Sequence, residues 1–104
     1  MENEEKIARR FMPGILKRYR ALAVMSQQEL ADSVGVSKGF ISALEGGRSV
    51  PNLDMLVQLA EALDVRPGEL VDAMVEESEK ILRQRAALDV KTSQLIATME
   101  NHSE

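Results

Sequence analysis

The sequence predicts an all-α fold, and three observations carry that expectation. Apolar residues recur three and four apart in successive short windows, the spacing of one helix face. Ser26, Ser37 and Asn52 each stand directly before such a window, where a side-chain oxygen can cap the first turn. Glycine or proline stands at every break between windows except the one before Ser26: Pro13-Gly14, Gly35, Gly46-Gly47, Pro51 and Pro67. A chain of 104 residues is about one small domain with a single modest core.

The elements follow in order. Pro13-Gly14 is expected to separate a short N-terminal helix from a stronger one, since proline suits the first turn of a helix. Leu16, Tyr19 and Ala23 then predict helix from about residue 13 to 24. Ser26 with Glu29 three residues on is a capping-box signature that starts the next helix at Gln27. Its apolar face is Leu30, Ala31 and Val34. A glycine inside a helix costs roughly 1 kcal/mol relative to alanine, so Gly35 reads as a turn between two short helices. Its backbone tolerates the positive φ that such a turn requires. Ser37 caps the following helix, with Ile41 and Leu44 as its buried stripe, and Gly46-Gly47 end it. Small Ala31 lets these two helices cross closely, which makes the pair a helix-turn-helix. Asn52 caps a fourth helix with Leu53, Leu56, Leu59, Ala60 and Leu63 inward, and Pro67 opens a short fifth. From Val71 onward there is no proline or glycine, so the tail is one long helix or two, with Asp89 marking the break in the second case.

Composition removes several classes of function. Hydrophobic residues at 44% place the chain among globular proteins rather than disordered ones. There is no cysteine, which excludes disulfides and thiolate zinc sites and fits a reducing compartment. The longest purely apolar run is "ALAVM", far short of the ~20 residues of a membrane span. The acidic start "MENEEK" lacks the apolar core of a secretory signal, so a cytoplasmic protein is expected. The sole histidine is His102, and no phosphate-loop or metal-ligand spacing occurs, so no catalytic residue, metal or cofactor is expected. The cluster "EESE" at 76–79 reads as a solvated helix face.

Charge is polarised along the chain. The net charge is −4, yet residues 6–51 hold eight bases against three acids. Residues 52–104 hold five bases against eleven acids. A basic front half and an acidic rear half can orient a protein on a polyanion.

The string "SQQELADSVGVSKGFISALEGGRSVPNLDMLVQLAEALDV" carries Gln-x-x-Leu-Ala, Gly-Val-Ser, Ile-Ser-x-x-Glu-x-Gly and Pro-x-x-x-x-Leu in order. It resembles the helix-turn-helix domain of the phage-repressor and Cro (XRE-type) regulators over about residues 15–71. The resemblance implies a five-helix repressor-like DNA-binding domain with an added C-terminal helical segment. The implied division is 1–12 as an N-terminal arm or short helix, 13–71 as the DNA-binding domain and 72–104 as a dimerisation segment. Two positions depart from the family pattern. Val24 stands where glycine commonly closes the first helix, implying a different turn there, and Arg66 stands where Ser or Thr usually caps the fifth.

The resemblance also implies roles. The third helix, residues 38–45, lies in the major groove while the second crosses the DNA backbone. Lys38, Gly39, Phe40, Ser42 and Ala43 form its outward arc: Lys38 suits guanine acceptors or a phosphate, Ser42 donates or accepts, and Phe40 and Ala43 suit a thymine methyl. Phe40 sits on the shoulder of that arc, where it packs or reads. With Gly39 and Ala43 offering no hydrogen-bonding side chain, direct readout is thin and DNA shape carries part of the specificity. Gln27, at a helix N-terminus, grips a phosphate; Ser37, Gly47, Arg48 and Ser49 follow the sugar-phosphate chain. Arg20 and Glu45 form a structural ion pair. Met74, Ile81, Leu88, Leu95 and Met99 fall on one stripe of the tail, with Leu82, Val90 and Ile96 beside it. Such a stripe is buried against something: a second subunit, or the chain's own domain. The expected function is sequence-specific double-stranded DNA binding by a homodimeric repressor. The alternative is the antitoxin of a toxin–antitoxin pair, whose tail binds a toxin.

Overall fold

The computed structural model describes residues 6–102; the acidic residues 1–5 lie outside them, as do residues 103–104. Five helices follow one another: α1 (Ile7–Leu22), α2 (Gln27–Val34), α3 (Lys38–Glu45), α4 (Leu53–Ala62) and α5 (Pro67–His102). The fold is all-α and repressor-like. The N-terminal signals act where the sequence puts them. Ser26 accepts from the Glu29 amide while the Glu29 side chain accepts from the Ser26 amide, closing the capping box. Ser37 Oγ accepts from Phe40 N, and Asn52 Oδ1 accepts from Met55 N.

The first four helices share one kind of ending. In each, the residue after a left-handed residue donates its amide to a carbonyl five positions back: Met25 to Arg20, Val36 to Ala31, Arg48 to Ala43, Val65 to Ala60. This bond satisfies carbonyls that a helix end otherwise leaves open. The left-handed residues are Val24 (φ 56°), Gly35 (φ 73°), Gly47 (φ 80°) and Asp64 (φ 59°). Val24 therefore overturns one expectation. The first turn keeps the left-handed conformation that glycine is chosen for, and a β-branched residue is held in it. For an L-residue that geometry costs ~1–2 kcal/mol. Val24 is 88% exposed, so no packing of its own side chain offsets the strain.

Three further expectations are corrected. Pro13 does not separate two helices; α1 runs through it from Ile7 to Leu22. An interior proline costs about 3 kcal/mol, but Ala8, Phe11 and Met12 before it lie on the same core-facing stripe as Ile15, Leu16 and Tyr19 after it. Packing of the continuous stripe outweighs the lost backbone bond. Leu53 does not face inward: it is 80% exposed, one step round the wheel from buried Leu56, Leu59, Ala60 and Leu63. The fifth helix is not short, and Asp89 does not break it; α5 is a single helix of 36 residues. Arg66, at the departure from the capping pattern, supplies its carbonyl to Glu69 N, and the helix starts at Pro67 regardless.

The core is filled by Met12, Ile15 and Leu16 of α1, Leu30 and Ala31 of α2, Ile41 and Leu44 of α3, and the apolar face of α4. Leu70, Ala73 and Met74 of α5 complete it. Helix α1 packs on α3 and α5, α2 on α3 and α4, and α4 on α5. The core thus continues past the boundary expected at residue 71. Met74, expected on the dimer stripe, is 6% exposed and belongs to the domain. Ile81 is half-buried, and every described side chain beyond it is exposed. Helix α5 therefore neither folds back nor ends with the domain, and the molecule measures 68 × 29 × 21 Å.

The paired left-handed positions generate a prediction. Val24→Gly should raise stability by about 0.5–1 kcal/mol, the relieved strain less the added freedom of the unfolded chain. Gly35→Val should lower it by ~1–2 kcal/mol, since a Cβ at Gly35 meets nothing within 4 Å and only the backbone resists it. Urea unfolding at fixed protein concentration checks both signs.

Candidate nucleic-acid interface

Helix α3 is an eight-residue element with one side locked and the other open. Ile41 and Leu44 are fully buried. Lys38 and Gly39 are exposed, and Ser42 and Ala43 are half-buried. Phe40 packs against the core with part of its ring at the surface. The five residues expected to read bases thus divide into two exposed, two at the rim and one partly packed on the core. Asn52-capped α4 supports α2 from behind, and α1 and α2 hold α3.

The far end of α3 is fastened by Glu45. Arg20 Nε donates to Glu45 Oε2 at 2.6 Å, and its Nη2 donates to Oε1 at 3.0 Å, a two-pronged pair. Arg20 Nη1 also donates to the Met25 carbonyl at 2.7 Å, and Gln27 Nε2 donates to Glu45 Oε1 at 3.0 Å. One carboxylate therefore ties α1, the strained Val24 turn, α2 and α3 together. Its side chain is 3% exposed and that of Arg20 is 16%. Burial alone would push the Glu45 carboxyl up. Hydrogen bonds from Arg20 and Gln27, with the charges of Arg20 and Lys17, outweigh it and hold the carboxyl below its ordinary value. The hydrogen bond to Glu45 raises the Arg20 guanidinium despite opposing desolvation.

The bond from Gln27 was not foreseen. A glutamine at a helix N-terminus reads equally as a phosphate ligand or a partner of a nearby carboxylate, and only the fold brings Glu45 within reach. One hydrogen of the Gln27 amide is occupied, leaving the other and the open first-turn amides of Gln27 and Gln28 for an anion. In the loop after α3, Gly46 N donates to Ser42 O, Gly47 N to Leu44 O, and both Arg48 N and Ser49 N to Ala43 O. The helix ending consumes these amides, so Gly47 offers close approach but no donor. The Arg48 guanidinium lies over Gly46, where a Cβ would meet Nη1 at 2.8 Å. That places a cation at the negative end of the α3 dipole, a favourable position; the fixed neighbour of a Cβ at 46 is the Ser42 carbonyl, at 3.1 Å. Ser37 Oγ accepts from Phe40 N, leaving its hydroxyl hydrogen to donate outward.

Among the described residues no cluster of His, Cys, Asp or Glu could hold a metal ion, and no helix is long and apolar enough to cross a membrane. The helix-turn-helix family matches residues 16–70, just over half of the chain. The chain belongs to this family of DNA-binding transcriptional regulators, of the XRE type. An uncharacterized HTH-type transcriptional regulator from Methanocaldococcus jannaschii is 38% identical over 55 residues, covering 53% of this chain and 83% of that protein. A crystal structure of the clp gene regulator ClgR from Corynebacterium glutamicum is similar at 26% identity with a TM-score of 0.65, over 71% of this chain and 95% of that one. A second ClgR structure, at 24% identity and a TM-score of 0.66, covers 97% of this chain and 100% of its own. A chain of the SinR–SinI protein complex is 27% identical, with a TM-score of 0.56 over 86% of this chain and 92% of that one.

Removing Glu45 should loosen the recognition unit. Glu45→Ala leaves a largely buried guanidinium unpaired and should cost about 2–4 kcal/mol at neutral pH. A carboxyl held low in the folded state stabilises the fold above its unfolded pKa of about 4.3, and that contribution disappears as pH falls through the lower folded value. The stability gap between wild type and Glu45→Gln should therefore narrow steadily from pH 5 to pH 2 in urea titrations.

Proposed function

We propose that the protein is a homodimeric repressor in the cytoplasm that reads operator DNA by placing α3 in the major groove. The supporting observation is the division of α3: its inner side and far end are fixed by Ile41, Leu44 and Glu45, while Lys38 and Gly39 are exposed. Eight residues span ~12 Å at 1.5 Å each, comparable with a groove ~12 Å wide. Lys38 and Ser42, one turn apart, supply polar contacts to bases. Ala43, and Phe40 at the edge of its packing, meet thymine methyls, and Gly39 permits close approach. Gln27, Ser37, Arg48 and Ser49 hold the phosphates, with Gly47 lying against the sugar-phosphate chain. So small a reading surface leaves part of the specificity to DNA shape.

A second reading is a tail that binds a different protein, as the antitoxin alternative requires. The uncovered stripe of α5 favours it as well as it favours a homodimer, and SinR–SinI is a complex of two proteins. Sedimentation of the chain alone separates the two: the repressor reading expects a dimer at micromolar concentration, the antitoxin reading a monomer.

Selection from a random duplex pool tests the function itself and should return a near-palindrome with half-sites about one helical turn apart. Binding should weaken with salt at a log–log slope of roughly −4 to −8 for a dimer with several phosphate contacts; a flat response overturns the reading. Arg48→Ala should weaken binding about equally on all sequences, because phosphates carry no base information. Lys38→Ala and Ser42→Ala should instead change base preference at one or two positions per half-site, by ~1–3 kcal/mol each. Gln27→Ala is a poorer probe, since it also frees Glu45.

A further inference from the structure

Beyond Ile81, α5 is a helix without a domain to lean on. Leu88, Leu95 and Met99 are each more than 60% exposed, and Leu82 and Ile96 at least half. An isolated helix of this length is marginal in water, because most helical stability comes from packing an apolar face. The face is also patterned. Steps of four and three alternate large residues, Ile81, Leu88 and Leu95, with Ser78, Arg85 and Thr92. Asp89 follows Arg85 by one turn at the edge of the stripe.

We infer that this stripe is the contact between two copies of the chain and that the two tails run antiparallel. The inference rests on the dimer reading above and adds its geometry. In a parallel two-fold pair every residue faces its own copy. Large layers then stack on large ones, and Arg85 meets the partner's Arg85 in the centre of the seam, a like-charge contact with no acid between. Turning one helix round removes both faults. With the two-fold axis between Ala86 and Ala87, Ile81 packs on the partner's Thr92, Leu95 on the partner's Ser78, and Leu88 on the aliphatic stem of the partner's Arg85. The guanidinium of each Arg85 then reaches the partner's Asp89, giving two symmetric ion pairs flanking the axis. Large opposes small in the outer layers, Ile81 on Thr92 and Leu95 on Ser78, and plus opposes minus on either side of the axis. Self-complementarity of this kind is what an isologous interface needs, and a foreign partner would have no reason to require it. The two domains then leave the tail pair about 38 Å apart along the helix direction, on the order of one turn of DNA.

The absence of cysteine makes the test clean. Full-length Ile81→Cys and Thr92→Cys proteins are prepared separately, sedimented, and treated with a bismaleimide that spans about 8 Å. Antiparallel tails put each new thiol about 16 Å along the axis from its own copy but directly against the other variant's. Neither protein alone should crosslink, and an equimolar mixture should give a covalent dimer. A covalent dimer from Thr92→Cys alone overturns the inference in favour of parallel tails. A sedimenting dimer that crosslinks in no combination shows that the copies meet elsewhere, leaving the dimer reading intact. A monomer at micromolar concentration overturns both. As a second measurement, Arg85→Asp and Asp89→Arg should each weaken dimerisation about tenfold or more, and mixing the two should restore it; unchanged dimerisation in both single variants removes the ion pairs from the interface.

Discussion

The Glu45 carboxylate is the point on which the reading unit depends. A helix of eight residues is too short to hold itself in water, so α3 takes its orientation from what it touches. Ile41 and Leu44 fix its rotation about its axis by burial. Burial alone, however, is non-directional and permits sliding. Directional bonds at the C-terminal end complete the constraint: Arg20 comes from α1 and Gln27 from α2, and they meet on the same carboxylate. The third bond of Arg20, to the Met25 carbonyl, extends the clamp to the turn before α2. Three elements that would otherwise be joined only by apolar contact are thereby held in one relative geometry. Under the proposed base-reading role, that fixed geometry keeps Lys38 and Ser42 at a set distance from the base edges.

The same clamp gives a physical setting for the strain at Val24. The Met25 carbonyl that Arg20 bonds lies immediately after the left-handed residue, and the Met25 amide bonds the Arg20 carbonyl. Backbone and side chain of Arg20 therefore grip Met25 from both sides. A conformation that a valine rarely adopts is over-determined by its neighbours, which is the condition under which such strain persists. Asp64 occupies the equivalent position at the end of α4 with less penalty, because its short polar side chain tolerates the left-handed region. Local geometry is conserved across four helix ends while residue identity is not.

This contrast explains what the sequence made legible. Caps are local: Ser26, Glu29, Ser37 and Asn52 act within three residues of themselves, so their positions could be read directly. The apolar stripes of α2 and α3 were equally plain, because Gly35 divides them. Pro13 and Val24 misled for a common reason. Their intrinsic preferences disfavour the observed backbone, and the forces that override them come from α3 and α5 and from Arg20 as the distant Glu45 holds it. Leu53 misled because a first-turn leucine is compatible with either face until α2 and α5 are in place. In the interface, the outward direction of Lys38 followed from Ile41 and Leu44. The engagement of Gln27 and the inward-turned amides of residues 46–49 did not, since both depend on atoms whose separation only the fold sets.

Helix α5 joins the two halves of the molecule's problem. Its first turns are core: without Leu70, Ala73 and Met74 the faces of α1 and α4 would be left open. Beyond Ile81 its described side chains are exposed, yet it is continuous with that core. Rigid continuity has a consequence that a flexible linker would not. Whatever covers the far stripe also fixes the direction in which the domain, and with it α3, is presented. On the proposed reading, a short helix that offers one long outward side chain, Lys38, beside bare Gly39 and a thin polar rim makes few base contacts by itself. Specificity would then come from repeating those contacts at a set distance. A stiff helix extending from the core is the element through which one α3 can be spaced against another.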